Sequence, residues 1–226
     1  MTDDNVVLVG VDGSPESLAA VDWAVARAEC QGWRVHILCA YSLPSFTTAS
    51  LDGGYAALDD SAIRSGAQAV IDEAVERVRK AGVTVTSSLE TGDPAGVLVD
   101  LSEEAALAVV GTRGGGGFAD RLLGTVSSAL PAHSHCPAVV VPRHNEGADY
   151  TPVRRIVVGV DGSSSARRAL KWAVTEAEAW GAELTAIAAV PMASGAGALA
   201  WLPAAVDREQ VLADVRSGLD RAINEA

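Results

Sequence analysis

Leu107-Ala108-Val109-Val110-Gly111-Thr112-Arg113-Gly114, followed after nine intervening residues by Gly124-Thr125-Val126-Ser127, is the stretch that decides how this chain is read. Its apolar opening fits a strand buried on both faces of a parallel sheet. Glycines at the end of such a strand are expected to take positive φ and to let the backbone approach a ligand closely. Successive N–H groups in that geometry form an anion-binding concavity. The second glycine is predicted to open a helix, whose N-terminus is another anion site with two hydroxyls nearby. Two donor clusters so close together suit a polyphosphate better than a single phosphate, so the stretch reads as a nucleotide phosphate cradle. The plainer alternative is a flexible glycine-rich loop with no ligand.

Two other phosphate motifs compete. No Gly-Lys pair occurs anywhere, which excludes a Walker A loop. Gly114-Gly115-Gly116-Gly117-Phe118-Ala119 satisfies a loose G-x-G-x-x-A, but the acid expected at the tip of the next strand is missing: Val139-Val140-Val141 runs into Pro142-Arg143.

Outward from the cradle, short β-branched runs are predicted as strands at Val6–Val11, Val35–Tyr41, Val83–Leu89, Leu107–Gly111 and Ala138–Pro142. Helical periodicity separates them. Ser14-Pro15-Glu16 is a capped start with Pro at the first helical position, and Leu18, Val21, Val25 and Ala28 follow on one face. Asp60 precedes a second such stripe that Gly82 ends, Asp93-Pro94 starts a third helix, and a fourth runs from Thr125, where Pro131 is expected to kink or shorten it. Strands alternating with helices of this length mean an α/β domain with right-handed crossovers.

The chain also repeats itself. Val6-Val7-Leu8-Val9-Gly10-Val11-Asp12-Gly13-Ser14 returns as Arg155-Ile156-Val157-Val158-Gly159-Val160-Asp161-Gly162-Ser163, an offset of 149 residues, and Trp23, Ala28-Glu29 and Gly32 match Trp172, Ala177-Glu178 and Gly181. That period is too long for a solenoid and right for tandem domains. The expected division is a complete domain over 1–145, a linker over 146–153, and an incomplete second copy over 154–226 with two strands, two helices and no equivalent of the cradle. The apolar positions Ile156–Val160, Leu170, Val174 and Ala177 are therefore expected to need cover from outside that segment.

Val9-Gly10-Val11-Asp12-Gly13-Ser14, the G-x2-G-x9-G-T pattern over 111–125, and Cys136-Pro137-Ala138-Val139-Val140-Val141-Pro142 together resemble the universal stress protein family. The resemblance covers 6–142, and 154–226 is similar to the front half of a second such domain. It implies an open five-stranded parallel sheet in order 3-2-1-4-5 with helices on both faces, and pairing through the last strand as a homodimer or between domains. It also implies that a chain with this glycine pattern binds ATP. Ala106 departs from the Asp that the family often carries before the fourth strand, which leaves the cradle untouched.

In that strand order the switch point lies between strands 1 and 4, where a ligand is expected beyond the carboxyl ends. Val11-Asp12 and Val110-Gly111 converge there. Asp12 cannot face a phosphate unaided; it would take a ribose or adenine donor, reach phosphates through a divalent cation such as Mg, or simply cap the Ser14 turn. By the resemblance, Asp12 and the backbone at Ala40 border adenine, while Gly111, Gly114, Gly124, Thr125, Val126 and Ser127 take ribose and phosphates. Arg113 is placed either toward a phosphate or toward solvent.

The remaining sequence narrows the classes. Net charge is −12 with no Lys- or Arg-rich run, which argues against nucleic acid and anionic membranes. No apolar stretch is long enough for a membrane span and the start Met-Thr-Asp-Asp is no signal peptide, so a cytoplasmic location is expected. Cys30, Cys39 and Cys136 read as buried thiols. Tyr41 to Asp59 reads as a loop near the strand ends. His133, His135 and Cys136 lack the spacing of a zinc site, and Glu103-Glu104 reads as a solvated face. The leading function is an ATP-binding stress-response regulator; slow ATP hydrolysis or nucleotidyl transfer is the enzyme alternative, and an interaction module without nucleotide the third.

Overall fold

Parallel strands need long crossovers, and this chain places a helix in each one. The computed structural model describes residues 5–42, 60–114, 123–142, 150–189 and 208–225. It divides into two units, Met1–Thr151 and Pro152–Ala226. The first holds β1 (Val6–Gly10), α1 (Pro15–Gln31), β2 (Arg34–Tyr41), α2 (Asp60–Lys80), β3 (Val85–Thr91), α3 (Pro94–Leu101), β4 (Leu107–Gly111), α4 (Thr125–His133) and β5 (Ala138–Val141). The five strands form one parallel sheet in the expected order β3-β2-β1-β4-β5.

Local chemistry sets the helix ends. The Ser14 hydroxyl accepts from Ser17 N–H at 3.2 Å ahead of Pro15, and α1 stops at Gly32, whose φ of 66° a side chain would oppose. Asp93 caps α3 by accepting from Gly96 N–H at 3.0 Å. Leu8, Leu38, Ala108 and Val110 pack on one sheet face with Leu98 of α3 and Leu130 of α4. Val7, Val9, Val35 and Ile37, which alternate with them, are buried as well, on the face where α1 and α2 cross the sheet.

The second unit repeats the opening of the first. β6 (Arg155–Gly159), α5 (Ser164–Trp180), β7 (Glu183–Ile187) and α6 (Arg208–Asn224) follow in order, with β6 and β7 parallel. Ser163 caps α5 and Gly181, at φ 62°, ends it. Val158, Val160, Ala166, Leu170 and Ala173 form a small cluster here, with Ile156, Leu184 and Ala186 against it. The other sheet face differs. Leu8 and Leu38 are 2% and 1% exposed, whereas their repeat counterparts Val157 and Ile187 are 63% and 50% exposed.

Some expectations need correction. α4 runs unbroken through Pro131, because a helix of nine residues that ends at His133 loses only one intrahelical donor there. Cys30 is exposed near the end of α1; Cys39 alone is fully buried, and Cys136 is intermediate. The third strand begins at Val85, since Gly82 at φ 78° turns the chain and Thr84 bonds to Val35 N–H only through its carbonyl. Glu103 and Glu104 sit in a 3₁₀ turn, Ser102–Glu104, rather than an α-helix. Nearly all of the loop expected over 41–59, and half of the linker expected over 146–153, lie outside the described residues.

The asymmetry between units gives a paired expectation. Leu8→Ala leaves a cavity between sheet and helices and should cost about 2–5 kcal/mol. Val157→Ala at the matching place should stay within about 0.5 kcal/mol. Urea denaturation followed by circular dichroism checks the contrast: the first variant lowers the midpoint, and the second leaves the curve in place.

Candidate functional site

At the carboxyl ends of β1 and β4 the two sequence motifs meet. β1 ends at Gly10, and its last bond to β2 runs from Val11 N–H to Leu38 C=O at 2.9 Å. Alternation along a parallel ladder points the backbone of Ala40 toward the same side, beyond the end of that pairing. Asp12 then turns the chain into α1. One of its oxygens accepts from Ser14 N–H at 3.0 Å and from the Ser14 hydroxyl at 2.6 Å. The turn-capping role of Asp12 is therefore present, and Asp161 repeats it with Ser163 N–H at 2.9 Å. The other Asp12 oxygen lies so close to Gly114 that a Cβ there would overlap it. Below this turn, burial raises the Cys39 thiol above its ordinary value, and the Asp12 charge adds to the shift.

The excursion after β4 is fastened at its base. Gly124 N–H donates to Thr112 C=O at 2.9 Å, and the Ser127 hydroxyl donates to the same carbonyl at 2.7 Å. Ser127 also accepts from Gly124 N–H at 2.9 Å, so its buried hydroxyl ties helix start to strand end. The first intrahelical bond of α4 runs from Ser128 to Gly124 C=O. The N–H groups of Thr125, Val126 and Ser127 therefore have no intrahelical acceptor and carry the positive end of the helix dipole.

The cradle glycines do not take the positive φ expected of them. Gly124 is extended at φ −78° and ψ 176°, and neither Gly111 nor Gly114 is left-handed. Their requirement is space. A Cβ on Gly111 would sit 2.6 Å from the Glu16 carbonyl carbon, where α1 passes over the end of β4. A Cβ on Gly124 would meet nothing closer than 3.6 Å, so this glycine keeps a hollow open rather than a contact tight.

That hollow is a cavity of about 390 Å³. Val11, Asp12, Ala40, Val110, Gly111, Gly114, Gly124, Thr125, Val126 and Ser127 all line it, so every residue singled out from the sequence comes together here. Arg113 lines it too. Sequence reasoning missed Gly10, Ser17, Leu38, Pro94 and Leu98. Leu38 and Leu98 read as core periodicity, and only the knowledge that α3 starts beside the switch point would have marked Pro94. The outcome is a pocket with an apolar wall at β2 and α3, and backbone donors at α4. Asp12 is the one carboxylate among its described lining residues. Elsewhere, His135 Nε2 lies 3.6 Å from Glu103 Oε1 on the surface.

Comparison with known proteins agrees with this architecture. The sequence profile of the universal stress protein family matches residues 5–142 and 152–222. Universal stress protein Rv2623 of Mycobacterium tuberculosis is 32% identical over 222 residues, a match spanning 94% of this chain and 73% of that protein. A crystal structure of a universal stress protein from Archaeoglobus fulgidus superposes with a TM-score of 0.65 at 21% identity, over 95% of this chain and 72% of that one. Another universal stress protein, solved in complex with cAMP, is 31% identical over 61% of this chain and 95% of its own, with a TM-score of 0.46. With a matching profile over both units and the expected strand order, the chain belongs to the universal stress protein family.

Proposed function

We propose that the first unit binds ATP together with a divalent cation, and that occupancy of this cavity is what the protein uses as a stress-response regulator. The observation that carries the reading is the single cavity at the β1–β4 switch, with an apolar slot at one end and amide donors at the other. Leu38, Leu98 and Pro94 offer surfaces for an adenine ring, and the Ala40 backbone supplies polar edges beside it. The N–H groups of Thr125, Val126 and Ser127 would hold phosphate oxygens, with Gly111, Gly114 and Gly124 giving close approach. Asp12 beside them would take a ribose hydroxyl, or help hold a divalent cation that offsets the phosphate charge. Binding of this kind shifts a population between conformations, which is a means of changing partners rather than a reaction. Among the described residues no helix is long and apolar enough to cross a membrane. A homodimeric, cytoplasmic regulator is the setting this reading places the protein in.

Titration calorimetry of residues 1–226 with ATP and Mg should give one site per chain, since the glycine pattern occurs once in these residues. Two equivalent sites would overturn that reading.

The glycines separate folding from binding. Gly124→Val has room for its Cβ, so the protein should fold normally while the branched side chain enters the hollow and weakens ATP by about tenfold or more. Gly111→Ala should instead cost about 1–3 kcal/mol of stability, because the α1 backbone blocks the methyl group. Melting curves and calorimetry on both variants test this. A folded Gly124→Val protein with unchanged ATP affinity would place the phosphates elsewhere.

A further inference from the structure

A second cavity, of about 470 Å³, opens within the second unit at the carboxyl ends of β6 and β7. Val160, Asp161 and Ala189 on its wall follow Val11, Asp12 and Ala40 by the same 149 residues. It shares these strand-end positions with the first cavity, but much of the rest of its wall comes from α5 and α6: Arg167 and Arg221 match Leu18 and Asp72, which do not line the first cavity. Residues 152–226 contain no second glycine pattern of the 111–125 kind, and the distinctive feature of this cavity is charge on its helical wall. Arg167 from α5 and Arg221 from α6 both line the cavity. An adjoining hollow of about 280 Å³ shares Arg167 and adds Arg168 and Lys171.

These cations are held in ways that favour an anion. Arg167 replaces Leu18 of the first unit, and its guanidinium donates to Gly162 C=O at 3.0 Å, which fixes it beside the strand ends. Arg168 donates to the Ser165 hydroxyl at 3.1 Å. The first turn of α1 carries Glu16, which complements the helix dipole, whereas the first turn of α5 carries no acid and is followed by both arginines and the lysine. Cations there oppose the dipole, and an anion seated between them relieves that opposition. Two carboxylates share the site. Asp161 is held below the ordinary carboxylate range, first by the Ser163 hydroxyl and then by the Ser163 amide, and stays committed to its turn. Glu225 lies four residues after Arg221 on the same wall, where its carboxylate would compete with an anion for the arginines.

We propose that this cavity binds a compact phosphate-bearing anion between Arg167 and Arg221, independently of the first cavity. Planar guanidinium groups suit phosphate oxygens, and a chain with net charge −12 gathers cations here against its overall field. The site is read out separately from the first by following backbone amide resonances of the full chain during titration with inorganic pyrophosphate at low ionic strength. Saturable shifts are expected at Gly162, Ala189 and Ala222, and they should persist in Gly124→Val, whatever happens at Gly111 and Thr125. Arg221→Gln or Arg167→Gln should weaken those shifts about tenfold or more. Glu225→Gln should tighten binding severalfold by removing the competitor, a gain that loss of folding could not mimic. Shifts confined to the first cavity, insensitivity to both arginine variants, or weaker binding in Glu225→Gln would each overturn the proposal.

Discussion

The pairing of β1 with β4 is the constraint on which the candidate site depends. Val7, Leu8 and Val9 align with Leu107, Ala108 and Val109, although about a hundred residues separate them. The crossovers on either side leave in opposite directions, so the strand ends open a crevice instead of being covered. Within that crevice α1 passes so close to Gly111 that no side chain fits. This close approach sets where α1 starts, and so where Asp12 and Ser14 turn. The Ser14 hydroxyl lies 3.4 Å from Arg113 C=O, which links that turn to the far side of the crevice.

Much of this was legible from residues alone. The strand count came from β-branched runs, and the helix starts from Ser14-Pro15 and Asp93-Pro94, whose side chains do cap the helices they precede. The strand order came only through the family resemblance, since pairing between distant strands leaves no local pattern. The residues that line the first cavity were readable because Gly, Asp and Thr at strand ends are costly in a core and stand out from it. Leu38 and Leu98 were not readable, because a leucine lining a pocket and a leucine filling a core obey the same periodicity. The torsional argument for the cradle glycines was mistaken: sequence shows that a side chain is absent, and only coordinates show whether torsion or space excluded it.

The two copies of the repeat isolate what each part of the motif does. Asp-Gly-Ser at the end of a parallel strand makes the same capped turn in both, buried strand or half-exposed one. The turn is therefore a property of the local sequence, and ligand binding is something added by the residues across the crevice. The sheets make the same point about packing. β6 and β7 keep the alternation of β1 and β2, yet a face that is sealed in the first unit remains open in the second. Burial on that face is decided by elements distant in sequence, and the strands alone do not secure it.

The fastening of Gly124 and Ser127 to the Thr112 carbonyl has a consequence for how the protein can vary. The residues between Arg113 and Leu123 leave and rejoin the domain at points already bonded to each other. Residues inserted or deleted between Arg113 and Leu123 therefore need not move β4 or α4. A single peptide-bond cleavage inside it would leave two new chain ends on a frame that still holds together. The stretch between these two anchor points is thus free to diverge in length and composition between relatives while the bonded frame of β4 and α4 is kept.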